Sequence, residues 1–181
     1  PYFISEIIKH KISLFVLDEA HTVLWSEDFR TSLACIPDFI TKLGYRPTHL
    51  ALTATATEQT VYKIREYVKL NNPRIIIGDF DKKNIFYNIV KSTNKNNDLI
   101  KYISKYKNQL GIIYCLTIRN VLRVYEYLRE MNYKVGYYHG GMSSEDKKYM
   151  QNAFTNHLLD IIVCTNAFGM GIDIPNIRYV I

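Results

Sequence analysis

Short apolar runs alternate with helically spaced apolar positions along most of the chain. Ile12 to Leu17 is β-rich and stops at Asp18. Pro37 to Leu43 predicts a short helix, with proline in its first turn and Gly44 just past its end. Thr48 to Leu52 predicts a second strand. Thr57 is a natural cap for a helix whose Val61, Ile64 and Val68 share one face. Arg74 to Ile77 predicts a third strand. The stretch GDFDKKN, Gly78 to Asn84, is polar and aperiodic and predicts a connection between two domains.

The alternation then restarts. Ile85 to Val90 predicts a strand, and Asp98 to Tyr106 a helix with Leu99, Ile100, Ile103 and Tyr106 inward. Gly111 to Cys115 predicts a strand, followed by a helix from Thr117 through Met131. Lys134 to Tyr138 predicts another strand. The turn HGGM leads into a helix from Ser143, where Ser143 and Asp146 have capping-box spacing. Asp160 to Cys164 and Arg178 to Ile181 complete the strands. Strands of four to six residues separated by helices imply parallel sheets with helices on both faces. Ligand sites in such sheets lie at the strand C-termini. Asp18-Glu19, Thr53 to Thr55, Thr117, His139 and Thr165 all follow strand ends.

Composition narrows the class. Of the 181 residues, 48% are apolar and 22% charged, which implies a packed core. The net charge of +6 fits a polyanionic partner without requiring one. Cys35, Cys115 and Cys164 are far apart, so the expectation is three reduced thiols in an intracellular protein, nuclear in a eukaryote and cytoplasmic otherwise. No zinc-ligand spacing is present. No apolar run reaches the roughly 18 residues of a membrane span, and no signal peptide is expected. A start at Pro1 without methionine and a stop inside a strand read as part of a longer chain.

Three stretches carry chemistry. DEAH, Asp18 to His21, follows a buried apolar strand. One carboxylate held there at fixed depth suits a hydrated Mg²⁺, and its neighbour suits orienting a water for in-line attack on a phosphate. A bare Asp-Glu pair is also a common helix cap. LALTATAT, Leu50 to Thr57, offers small hydroxyls that bond backbone or carboxylates without bulk, or simply cap a helix. In IVCTNAFGMGIDIP, Ile162 to Pro175, Gly169 and Gly171 permit close approach to a phosphate chain, with Asp173 beside them.

The order DEAH, ALTATA, GIIYC, YHGGMS, AFGMGIDIPN resembles the RecQ family of DNA helicases, within the second helicase superfamily. WSEDFR, Trp25 to Arg30, resembles the family's aromatic-rich loop, and FDKKN its link between two RecA-like domains. The resemblance implies an α/β fold of two RecA-like parallel-sheet domains in tandem: residues 1–77, a linker at 78–84, and residues 85–181. The first is truncated at its N-terminus and the second at its C-terminus. It implies an ATP-dependent DNA helicase moving 3′ to 5′ on single-stranded DNA and unwinding duplex junctions, with ATP and Mg²⁺ as cofactors and no membrane partner.

It also implies residue roles. Asp18 holds Mg²⁺ through water, Glu19 activates the hydrolytic water, and His21 communicates between nucleotide and DNA. Trp25, Phe29 and Arg30 sense single-stranded DNA, through stacking and phosphate or cation–π contact. Thr53 and Thr55 couple nucleotide state to domain closure. Tyr114, Thr117, His139, Thr165 and Gly169 follow the DNA track, and Gly171 and Asp173 meet the nucleotide. Read from their neighbours, Trp25 also fits a core aromatic, and His139 before two glycines also fits a turn residue.

Three departures qualify the resemblance. No GxxxxGK run followed by Ser or Thr occurs, so the phosphate-cradling loop is lacking. The arginine-rich motif that carries the arginine finger is lacking too. The aromatic loop is one residue short, with Glu27 near the place of its second histidine. The expectation is an active helicase in the longer protein and a poorly active chain alone. The alternatives are a degenerate helicase acting as a nucleic-acid-binding module, and an RNA helicase of the DEAH type.

Overall fold

A computed structural model describes residues 5–7, 9–25, 35–78, 82–169 and 174–181. The chain divides into two compact units, Pro1–Ile85 and Phe86–Ile181.

In the first unit, strands β1 (Leu14–Leu17) and β2 (Thr48–Ala51) pair in parallel, with Leu17 opposite Ala51. A 3-10 helix, Ala20–Trp25, follows β1. Helix α1 (Ile36–Lys42) and helix α2 (Glu58–Tyr67) pack in the same unit. Strand alternation turns Leu17 into a core with Ala20, Val23, Ile40, Ile64 and Val68. The Thr57 side chain caps α2 by accepting from Thr60 N–H at 3.2 Å.

Among the described residues of the second unit, four parallel strands run in the order β4-β5-β3-β6. They are β3 (Leu110–Tyr114), β4 (Val135–Tyr138), β5 (Ile161–Cys164) and β6 (Ile177–Val180). Helix α3 (Lys95–Ile103) and helix α4 (Ile118–Glu130) cover one face. There Ile103, Val121 and Leu128 meet Ile113, Val135, Ile161 and Val163. Helix α5 (Ser144–Thr155) covers the other, where Phe154 meets Leu110, Ile112, Ile162 and Cys164. All four β5 residues are buried because both faces of that strand are packed. Thr117 and Ser143 cap α4 and α5 as expected, accepting from Asn120 N–H at 3.2 Å and Asp146 N–H at 3.1 Å.

Two expected strands are absent. Arg74–Ile77 and Ile85–Val90 are β-rich, yet neither joins a sheet, and Ile76, Phe86 and Ile89 stand 81%, 98% and 98% exposed. A strand needs a ladder partner as well as β-branched residues, and no described strand pairs with these segments. The helix expected at Asp98 starts earlier, at Lys95. Asn94 caps it by accepting from Asn97 N–H at 3.2 Å, and the Asp98 carboxylate instead accepts from the Ser92 hydroxyl at 2.5 Å.

Gly111 pairs with Tyr179 across β3 and β6, and a Cβ there would lie 1.9 Å from Tyr179 Cζ. The ring cannot retreat, because it packs against Tyr106 at 5.1 Å and Tyr102 at 6.2 Å. Gly111→Ala should therefore destabilise the second unit by at least ~2 kcal/mol in chemical denaturation. A change within a few tenths of that in wild type would mean the tyrosine cluster is loose.

Burial pushes the Cys164 thiol up to about 12, with the neighbouring Cys115 thiol adding to it, and burial also raises Tyr179. Both groups are neutral when protonated, so folding favours the protonated form. Their contribution is complete below the ordinary thiol value of 9.0 and is lost as pH rises toward 12. Denaturation midpoints should be flat to pH ~9 and fall above it, less steeply in Cys164→Ala. A midpoint that rises or stays level from pH ~9 to ~11 contradicts this assignment.

Candidate functional site

The loops that follow β1 and β2 are joined by main-chain hydrogen bonds beyond the strands themselves. Leu52 N–H donates to the Leu17 carbonyl at 2.9 Å, and Ala20 N–H donates to the Leu52 carbonyl at 2.8 Å. This ladder carries DEAH and LTAT out of the sheet side by side. Ala20 is fully buried, Thr22 and Val23 nearly so, and they fix the loop from beneath.

The polar groups stand above that floor. Asp18 is exposed, and its Oδ1 accepts from Glu19 N–H at 2.8 Å. Glu19 has φ 48, in the left-handed region that non-glycine residues rarely adopt. Such a conformation persists only where its surroundings enforce it, and it clusters at functional sites. The Glu19 carboxylate stays 61% exposed while Oε2 lies 3.4 Å from His21 Nδ1. His21 Nδ1 lies 2.8 Å from Thr53 Oγ1. That hydroxyl also donates to the Thr55 carbonyl at 3.1 Å and accepts from Thr55 N–H at 3.2 Å.

The donor set fits a hydrated cation and not a closed cage. Among the described residues no three His, Cys, Asp or Glu side chains converge on one point. Mg²⁺ commonly takes one or two carboxylates and completes its shell with water and substrate phosphates. An exposed Asp18 meets that requirement. Trp25 ends the 3-10 helix, and its side chain, with all of Phe29 and Arg30, lies outside the described residues.

In the second unit the described members of the expected set again sit at or just past strand C-termini. Tyr114 ends β3, and its hydroxyl donates to the Phe168 carbonyl at 2.9 Å. Thr117 is exposed but spends its hydroxyl on the α4 cap. His139 follows β4, its ring stacked on Tyr137 with centroids 5.8 Å apart. Its main-chain N–H donates to Met142 Sδ at 3.3 Å, and its buried Nδ1 has no hydrogen-bond partner among the described residues. Thr165 follows β5 and is buried, with Oγ1 accepting from Ala167 N–H at 3.4 Å. Gly169 is exposed with φ +126. Gly171 and Asp173 lie outside the described residues.

Sequence reasoning gave no role to Phe168. It is 1% exposed and wedges between Tyr138 and Phe154 with centroids 5.0 and 6.0 Å away, anchoring the glycine-bearing loop. The signal was a large apolar side chain between Ala167 and Gly169, in a stretch otherwise read as loop. Among the described residues no helix is long and apolar enough to cross a membrane.

Residues 94–181 match the family described as helicase conserved C-terminal domain. The chain is 34% identical over 171 residues to the ATP-dependent DNA helicase RecQ of Bacillus subtilis, covering 94% of the chain and 29% of the relative. It is 35% identical to the probable ATP-dependent DNA helicase RecS of the same organism, covering all of the chain and 37% of the relative. It is 40% identical over 172 residues to a putative ATP-dependent RNA helicase of Acanthamoeba polyphaga mimivirus, covering 94% of the chain and 31% of the relative. The chain thus spans about a third of the length of these relatives. Saccharomyces cerevisiae Dbp5, bound to RNA and ADP BeF3, superposes with a TM-score of 0.76 at 18% identity over 99% of this chain and 48% of its own, a likeness of fold.

With the Thr53 hydroxyl turned to the Thr55 carbonyl, the hydrogen bond between Thr53 and His21 requires the imidazole as donor, and the tautomer is what the measurement reads. Long-range ¹H–¹⁵N spectra of the chain near neutral pH should therefore report His21 Nδ1 as a protonated, pyrrole-type nitrogen. A pyridine-type Nδ1 would reverse the donor and break the Thr53–Thr55 arrangement.

Proposed function

The chain belongs to the RecQ family of helicases, and from that premise we propose that it supplies part of an ATP-dependent 3′ to 5′ DNA helicase motor in a longer protein. The carrying observation is the hydrogen bond of 2.8 Å between His21 and Thr53, with the Glu19 carboxylate 3.4 Å from the same nitrogen. It joins a candidate catalytic carboxylate to a loop on the neighbouring strand through one imidazole.

In this reading Asp18 holds the hydrated Mg²⁺ of Mg-ATP. Bound ATP supplies the γ-phosphoryl group that passes to water. Glu19 orients and deprotonates that water, a task of positioning and charge neutralisation more than covalent chemistry. His21, Thr53 and Thr55 transmit the state of that site. Trp25, Phe29 and Arg30 take single-stranded DNA by stacking and phosphate contact. Thr117, His139, Thr165 and Gly169 border the strand in the second unit, and Gly171 and Asp173 approach the nucleotide. The linker role of residues 78–84 belongs to the same proposal. Duplex junctions are the proposed unwinding substrate.

The 181 residues contain neither a phosphate-cradling GxxxxGK run nor the arginine-rich motif, so the chain by itself should turn over ATP poorly. Its own activity is then binding of nucleic acid. A second reading, RNA in place of DNA, draws on the mimiviral relative at 40% identity, which is named a putative RNA helicase. Its test is whether RNA or DNA stimulates ATP hydrolysis in the longer protein; stimulation by RNA only would replace DNA as substrate.

Glu19→Gln in the longer protein should lower ATP turnover by about 10²–10⁴-fold, the usual contribution of a general base, with ATP affinity retained. Near-normal turnover would remove Glu19 from the chemistry. Affinity for single-stranded DNA should fall with salt at a slope of about −0.7 per phosphate neutralised, and a flat dependence would argue against phosphate contact.

A further inference from the structure

We infer that Tyr114 is a positioning residue whose hydroxyl latches the loop leaving β5, setting the backbone that Thr165 and Gly169 present at the sheet edge. Tyr114 stands at the end of β3, opposite Cys164 at the end of β5. From there Oη donates to the Phe168 carbonyl at 2.9 Å, across 54 residues of sequence. The bond therefore ties one strand's end to the loop of another and closes no local turn.

The other attachments of that loop make the latch effective. Thr165 N–H donates to the Tyr138 carbonyl at 3.1 Å, and Phe168 N–H donates to the Thr165 carbonyl at 3.0 Å. The Phe168 ring is sunk into the core beside Tyr138 and Phe154. The side chain of Phe168 is thus held from within the core and its carbonyl from the side by Tyr114. The chain then turns at once, with φ +126 at Gly169, directly over the tyrosine hydroxyl: a Cβ there would lie 2.9 Å from Oη. A glycine satisfies both the φ and the close approach. Burial, with the Cys164 thiol second, holds the Tyr114 hydroxyl above its ordinary value, so it remains a donor at any pH in normal use.

This role differs from direct contact with a nucleic acid. A stacking ring would work equally well as phenylalanine, whereas a latch needs the hydroxyl. The inference rests on the proposed nucleic-acid function only for its second readout.

The test compares wild type with Tyr114→Phe in the 181-residue chain, a change that keeps the ring and its packing. The first readout is amide hydrogen exchange. Amides of residues 166–169 should exchange roughly five-fold faster, the size of one lost hydrogen bond, with β3 and β5 amides unchanged. Gly169→Ala, which drives a methyl onto the hydroxyl, should speed the same amides. The second readout is affinity for a single-stranded oligothymidylate by fluorescence anisotropy, expected to weaken roughly five-fold in Tyr114→Phe. Unchanged exchange at 166–169 overturns the latch, whatever the affinity does. Faster exchange with wild-type affinity overturns the positioning role. Faster exchange in a chain whose wild type binds no oligonucleotide upholds the latch and removes the nucleic-acid reading instead.

Discussion

The parallel register of β1 on β2 is the constraint on which the candidate site depends. Leu17 lies opposite Ala51, and the ladder runs on through Leu52 N–H to Leu17 and Ala20 N–H to Leu52. A slip of one residue would reverse the face of every side chain on the strand. It would lift Leu17 out of the core with Ile64 and Val68, and would separate His21 from Thr53. Hydrophobic burial thus fixes the register, and the register fixes the polar contact. The site needs no buried charge to hold it together: Asp18 and Glu19 remain exposed and available to a ligand.

The second unit uses the same logic at greater depth. Its central strand β5 is buried along all four residues, so its end is a rigid platform. Thr165 and Phe168 leave that platform under restraint from Tyr138, Phe154 and Tyr114. In both units, strand ends of parallel sheets carry the candidate site residues, where crossover topology leaves the C-terminal edge open.

Much of this was legible in the chain. The caps Thr57, Thr117 and Ser143 announce themselves because a side-chain oxygen three residues ahead of a free N–H is a local event. The sheet strands and the DEAH and TAT loops at their ends follow from apolar runs that stop at polar residues. The contact of His21 with Thr53 is different, because it depends on which strands are neighbours. The same reason explains the failures at Arg74–Ile77 and Ile85–Val90: residue types suit a strand there, but pairing is a property of two segments. The Tyr114–Phe168 bond, spanning 54 residues, was beyond any local pattern. Trp25's side chain, Phe29, Arg30, Gly171 and Asp173 lie outside the described residues.

The central claim is that His21 and Thr53 act as one unit linking the acidic loop to its neighbouring strand. A double-mutant cycle of His21→Ala and Thr53→Val on DNA-stimulated ATP hydrolysis in the longer protein measures it most directly. The account predicts strong non-additivity: the double variant should be no more impaired than the worse single one, with a coupling of about 1 kcal/mol or more. Independent effects that add within ~0.3 kcal/mol would contradict it, leaving the 2.8 Å contact without a part in coupling.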